Sequence, residues 1–169
     1  MFTMSGSEFV STFHVRLAVF DEASSIASIL YQSFVEYESL YTPEAFAATT
    51  PTSEQIQNRF DEGPVWIALQ RDTIVGTVAA APKDGGMYVR SMAILPTARG
   101  QGIGRVLLEQ VERFASESGQ RRLFLSTTPF LLRAIRLYEQ FGFRRSGEGL
   151  QDLFGTQLFT MVKPIGGEH

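Results

Sequence analysis

The sequence predicts a single domain of the mixed α/β (α+β) class, with about seven strands and about four helices. Three observations predict it. Strand-like and helix-like periodicities follow one another in the order β-α-α-β-β-β-α-β-α-β-β, with no internal repeat, linker or low-complexity stretch. The 169 residues are 44% hydrophobic and 20% charged, as in a globular chain large enough for one substantial core. The glycine-rich run Arg99-Gly100-Gln101-Gly102-Ile103-Gly104 joins a strand-like stretch to a helix-like one. Glycines there let the backbone approach an anion, and the first helical N–H groups and the helix dipole face it.

Each element has a local cause. Residues 1–12 are polar and small with scattered aromatics and read as a loose extension ahead of a domain over 13–169. Phe13–Val19 alternates as a strand. Asp21 is placed to cap a helix. Ile26, Ile29, Leu30, Phe34 and Tyr37 then share one helical face. Residues 38–51 read as a loop with a short helical turn at 44–48. Thr52-x-x-Gln55 is a capping box opening a helix to about Glu62, which Gly63-Pro64 ends. Val65–Gln70 and Thr73–Ala81 form a hairpin around Arg71-Asp72. Asp84-Gly85-Gly86 turns the chain into the strand Tyr88–Leu95. Ile103, Val106, Leu107, Val111, Phe114 and Ala115 form an apolar helical stripe that Gly119 stops. Arg122–Ser126 is a strand. Leu131–Phe141 is a helix with Leu131, Ile135 and Tyr138 on one face, ended by Gly142. Arg144–Gly147 and Gln157–Lys163 are the last strands.

Composition removes several function classes. Cysteine is absent, so there is no disulfide framework, thiolate metal site or cysteine nucleophile. With only two histidines, His14 and His169, a histidine-rich metal site is excluded, and His14 reads as a solvated or packed structural residue. A net charge of −3 argues against a dedicated nucleic-acid binder. No apolar run is long enough to span a bilayer. Met1–Glu8 lacks a basic segment leading into an apolar core, so a cytoplasmic setting is the expectation.

The glycine loop is tested by its spelling. No Gly-x-x-x-x-Gly-Lys-[Ser/Thr] occurs, which removes the P-loop. The dinucleotide turn Gly-x-Gly-x-x-Gly fails from Gly100, where Arg105 stands sixth, and from Gly102, where Leu107 does. The loop does spell Arg-x-x-Gly-x-Gly at Arg99, Gly102 and Gly104. Ahead of it stands Tyr88–Pro96. Behind it comes Ile103-Gly104-Arg105-Val106-Leu107-Leu108, and further on Ala134-Ile135-Arg136-Leu137-Tyr138-Glu139-Gln140-Phe141-Gly142-Phe143. Together these resemble the two signatures of the GNAT superfamily of N-acetyltransferases, the acetyl-CoA loop and Ala-x-x-Leu-Tyr-x-x-x-Gly-Phe. The specific resemblance runs from Tyr88 to Phe143.

The resemblance implies a mostly antiparallel, twisted mixed sheet, splayed between its fourth and fifth strands. It implies acetyl-CoA as cosubstrate and direct attack of an amine on the thioester. The cofactor-binding residues it implies are Met92, Ala93, Ile94, Arg99, Gly100, Gln101, Gly102, Ile103, Gly104, Arg105, Leu131, Ala134 and Tyr138. Within that set, backbone groups of Met92 and Ile94 pair with pantetheine, amides 101–104 hold pyrophosphate, and Arg99 and Arg105 offer guanidiniums. Arg105 also reads as a solvated helix residue. Ile94 N–H would polarise the thioester carbonyl. Tyr138 would be the general acid at the departing sulfur, although its place on an apolar helix face also suits a structural tyrosine.

Two positions depart from the family pattern. Tyr88 stands where relatives carry a glutamate base, so Tyr88 is a base or acceptor contact, with Glu36, Glu38 or Asp152 acting through water as alternatives. Leu131 replaces an asparagine that usually touches CoA. An acceptor pocket is expected from Phe34, Tyr37, Tyr41, Phe46, Asp152 and Phe154, suited to an amine with an apolar body. The acceptor itself is a small-molecule or peptide amine. Neither nucleic acid nor membrane is an expected partner, and dimers are common in that family. A non-catalytic acyl-CoA sensor on the same fold is the alternative reading, and a nucleotide-binding protein sharing only the glycine turn is a third.

Overall fold

A computed structural model describes residues 12–166. The expected N-terminal extension therefore lies outside the described residues except for Thr12, and so does His169. The strands are β1 (His14–Leu17), β2 (Val65–Gln70), β3 (Thr73–Lys83), β4 (Gly86–Ile94), β5 (Arg122–Thr127), β6 (Arg144–Arg145), β7 (Gln151–Leu153) and β8 (Thr156–Pro164). The helices are α1 (Ala23–Phe34), α2 (Pro43–Thr49), α3 (Ser53–Arg59), α4 (Ile103–Glu117) and α5 (Leu132–Phe141). The sheet runs β1-β2-β3-β4-β5-β8-β6, with β7 hairpinned onto β8. Every pairing is antiparallel except β4 with β5.

Alternation in the strands divides the core into two layers. Val65, Ile67 and Leu69 of β2 face α1 and α3, joining Ile26, Ile29, Leu30 and Ile56. Trp66 and Ala68 face the other way, onto Ile103, Leu107, Leu108, Val111 and Ala115 of α4. The apolar stripe expected on α4 is therefore the seam against the sheet. Both tight hairpins have the backbone their sequences call for. Arg71 and Asp72 have φ of 51° and 67°, and Asp84 and Gly85 of 49° and 76°, the paired positive values of a two-residue turn that matches strand twist.

The differences from the expected elements are local. Residues 43–49 form a full short helix, because Thr42 caps it by accepting from Ala45 N at 3.2 Å and Pro43 fits its first turn. Asp21 does not cap α1. A short 3₁₀ turn, Phe20–Glu22, precedes the helix, and Glu22 instead accepts from Val19 N at 2.9 Å and pairs with Arg16 at 2.7 Å. The Thr52–Gln55 capping box is present in both directions, at 2.9 and 3.2 Å. α1 ends at Phe34 and passes into a 3₁₀ segment, Val35–Leu40, which carries Glu36, Tyr37 and Glu38.

Two features of β4 position the site. Its register with β3 slips: Ala93 opposes Thr77 and Arg90 opposes Ala79, so Ser91 and Met92 together face Val78. This is a bulge, and Ser91 has a φ of 54° within it. Its pairing with β5 is also brief, ending after Met87↔Leu123 and Tyr88↔Phe124. Beyond Tyr88 the two strands part, and one edge of β4 is left without a strand partner.

Candidate active site

Two cavities open where β4 and β5 part. The first, about 420 Å³, lies between the end of β4, the glycine loop and α5. Twelve of the thirteen residues expected to bind cofactor line it: Met92, Ala93, Ile94, Arg99, Gly100, Gly102, Ile103, Gly104, Arg105, Leu131, Ala134 and Tyr138. Gln101 does not; its side chain accepts from Gln70 Nε2 at 2.6 Å. The glycines have distinct reasons for their positions. Gly100 and Gly102 have φ of 81° and 85°, and a Cβ on either would meet no protein atom within 4 Å. They combine a left-handed backbone with open space. Gly104 is packed instead, since a Cβ there would lie 2.7 Å from Leu137 Cδ2.

Gly102 caps α4 without a side-chain hydrogen bond, and the first helical bond runs from Val106 N to Gly102 O at 3.2 Å. The preceding N–H groups of the first turn therefore face the cavity side of the loop as an anion cradle. Arg99, Arg105 and Arg133 stand around it, and among the described residues no Asp or Glu lines the cavity. Arg99 has a partial counter-ion in Glu36 at 3.4 Å, and Arg105 in Glu109 at 3.4 Å.

The second cavity, about 310 Å³, adjoins the first. Phe34, Met92, Leu131 and Tyr138 line both. Tyr138 is buried, its ring set against Phe143 at 5.8 Å. Burial, and secondarily the nearby Tyr41, push its phenol well above the ordinary tyrosine range. It therefore stays protonated, with its hydroxyl among the groups that line both cavities. Three buried side-chain polar atoms among the described residues lack a hydrogen-bond partner: Ser33 Oγ, Arg90 Nε and Thr128 Oγ1. Ser33 lines the first cavity, and Arg90 and Thr128 the second. Unpartnered polar groups concentrated at these two openings are what a ligand site leaves behind.

The expected acceptor residues divide. Tyr88 and Tyr41 line the second cavity, Tyr37 lines the first, and Phe34 lines both. Asp152 and Phe154 line neither. They sit exposed at the β7–β8 hairpin, where the Asp152 carboxylate accepts from Gly155 N at 3.1 Å, and only Leu153 between them reaches the cavity. Phe46 is core, packed on Tyr41 at 5.9 Å and Tyr31 at 6.0 Å. Glu36 and Glu38 are exposed and line neither opening.

Sequence reasoning missed Ser33, Arg133 and Gln140 at the first cavity, and Arg59, Lys83, Arg90, Ser91 and Thr128 at the second. Arg133 and Gln140 share a helical face with Leu137, a spacing visible in the sequence. Arg59 and Arg90 carry no motif, and only the tertiary fold brings them together.

Comparison with known proteins agrees with this geometry. Residues 28–143, more than half of the chain, match the family model of the acetyltransferase (GNAT) family. YjgM, an uncharacterized N-acetyltransferase of Escherichia coli K12, is 27% identical over 135 residues, covering 76% of this chain and 80% of that protein. Human N-acetyltransferase 8B is 32% identical over 89 residues, covering 49% of this chain and 39% of that protein. The chain thus spans most of the bacterial relative and less than half of the human one. The fold is similar to that of the PaiA N-acetyltransferase of Thermoplasma acidophilum in complex with coenzyme A. The TM-score is 0.75 at 16% identity, over 91% of this chain and 99% of that one.

Proposed function

The chain belongs to the acetyltransferase (GNAT) family, and we propose that it transfers an acetyl group from acetyl-CoA to the primary amine of a small acceptor by direct attack in a ternary complex. It is an acyl-CoA-dependent N-acetyltransferase. The observation that carries the assignment of roles is the position of Tyr138, which is among the residues that line both cavities.

The residues of the first cavity fit acetyl-CoA. Open, left-handed Gly100 and Gly102 and the uncapped start of α4 suit a diphosphate. Arg99, Arg105 and Arg133 add charge without an opposing acid in the lining. The unpaired edge of β4 at Met92–Ile94 offers main-chain groups to an extended amide-bearing arm, as an added strand would use them. Acetyl-CoA supplies the activated acyl group.

The chain's own residues supply position and hydrogen bonds. Ile94 N–H is the candidate donor to the acyl carbonyl, where negative charge grows as the C–N bond forms. Tyr138 donates to the sulfur as the C–S bond breaks. Its raised pKa keeps the phenol protonated, ready to give the departing sulfur a hydrogen bond or its proton.

Among the described residues no carboxylate lines the second cavity, so none there matches the glutamate base that the family resemblance implies. The amine proton leaves to water, with the Tyr88 hydroxyl positioned to orient it. Among the described residues no helix is long and apolar enough to cross a membrane, and a cytoplasmic setting, with acetyl-CoA at hand, fits the reading.

The test is CoA release, followed with a thiol reagent, from protein, acetyl-CoA and a panel of primary amines. Amine-dependent release supports transfer. Acetyl-CoA binding with no release across the panel would instead favour the acyl-CoA sensor.

A further inference from the structure

The second cavity has an unbalanced charge. Among the described residues its lining includes Arg59, Lys83 and Arg90 and neither Asp nor Glu. Arg59 is the last residue of α3, and its guanidinium donates to the hydroxyl of Ser91 in the β4 bulge. Arg90, the residue before that bulge, pairs with Glu62, while its Nε is buried and unpartnered. Glu62 is half-exposed at 51%, so it covers one side of Arg90 rather than filling the cavity. Lys83 lies over the Tyr88 ring at 4.6 Å. Two half-buried guanidiniums thus share a single carboxylate. Burial, and then the proximity of Arg90, lower the pKa of Arg59, which is the signature of a cation held where its charge is poorly compensated.

Such an arrangement is costly in an empty protein and is offset when an anion enters. The planar fork of an arginine matches a carboxylate through two parallel hydrogen bonds. Arg90 pairs directly with Glu62, which leaves Arg59 the less compensated of the two guanidiniums. The volume, about 310 Å³, is at the small end of ligand sites. Ser126, Thr127 and Thr128 add hydroxyls to the same wall.

We propose that the acceptor is a small amine that also carries a carboxylate, an amino-acid-like molecule whose carboxylate is held by Arg59 and Arg90 while its amine is turned toward Tyr138. This rests on the acetyl-transfer reading and replaces the expected apolar acceptor with an anionic one.

The experiment compares amino acids with their carboxamides as acceptors, which differ at the carboxylate. A charge-assisted contact predicts kcat/KM at least about tenfold higher for the acids. In Arg59→Gln that ratio collapses toward unity through KM, and Arg59→Lys restores part of it. Binding of N-acetylamino acids and their carboxamides to the CoA-loaded protein, read by calorimetry, reports the same preference independently of turnover. Melting temperatures confirm that the variants are folded. Carboxamides used or bound as well as the acids, neither class bound, or a ratio unchanged in Arg59→Gln, would each overturn the inference. Acetyl transfer confined to uncharged amines would overturn it while leaving the transferase reading intact. Failure of acetyl-CoA itself to bind would instead remove the transferase reading and the inference with it.

Discussion

Replacing Tyr138 by Phe isolates one atom at the junction of the two cavities. The ring is buried and packs against Phe143 at 5.8 Å, a contact that phenylalanine keeps. Stability should therefore change by less than about 1 kcal/mol. The acetyl-CoA dissociation constant should stay within about twofold, because the ring wall and the glycine cradle are intact. What is lost is a hydrogen bond to sulfur that strengthens as negative charge grows there. A hydrogen bond to a charged group contributes about 1.5–3 kcal/mol, which corresponds to a fall in kcat of about ten- to a hundredfold. The assay is continuous CoA release under saturating acetyl-CoA, paired with calorimetric titration of acetyl-CoA and a thermal melt. An unchanged kcat would refute the assignment of Tyr138 to the leaving group. A loss of acetyl-CoA affinity with kcat unchanged at saturation would make it a binding residue only.

Three further outcomes follow from particular residues. Gly102→Ala should cost about 1–2 kcal/mol of stability, since φ is 85° and no neighbour obstructs the methyl. It should weaken acetyl-CoA at least about tenfold, because the methyl enters space left for the diphosphate; calorimetry beside a melt separates the two effects. Gly63→Ala should destabilise by about 1–3 kcal/mol, because its Cβ would lie 2.1 Å from the Ala80 carbonyl oxygen and the backbone must move. Urea midpoints would show this. The raised pKa of Tyr138 gives an alkaline signature. Below the unfolded value of about 10 the phenol is protonated in both states. As pH climbs beyond that, the unfolded chain ionises first and folded stability falls. Tyr138→Phe should lose less stability than the wild type between about pH 9 and 11, and parallel urea curves would contradict this.

Much of the fold and most of the cofactor cavity could be read from local chemistry. The capping box at Thr52–Gln55, the positive-φ hairpins and the α4 stripe are short-range signals, and the structure contains all three. The glycine loop was legible because its requirements, open space and left-handed backbone, are met by glycine alone. Asp21 misled because a 3₁₀ turn, Phe20–Glu22, precedes the helix and its N-cap, Glu22, makes no side-chain capping bond, its carboxylate accepting from Val19 N and pairing with Arg16 instead. The acceptor side was the least legible. Phe46 and Phe154 have the composition of a pocket, yet one is core and the other is hairpin surface. Arg59 and Arg90 belong to α3 and β4, and nothing near either residue announces the other. Their meeting depends on the β4 bulge at Ser91, whose φ of 54° no sequence pattern signalled.

The central claim is that the glycine loop and the gap beside β4 hold acetyl-CoA. Thermal unfolding with acetyl-CoA, CoA, ATP and NAD in parallel tests it most directly. At a hundred times its dissociation constant a ligand adds about 2.7 kcal/mol, a rise in Tm of about 5–11 °C for a chain of this size. A rise of that order with acetyl-CoA and CoA, and none with ATP or NAD, is the predicted result. No rise with either CoA species, or a larger one with ATP or NAD, would contradict it.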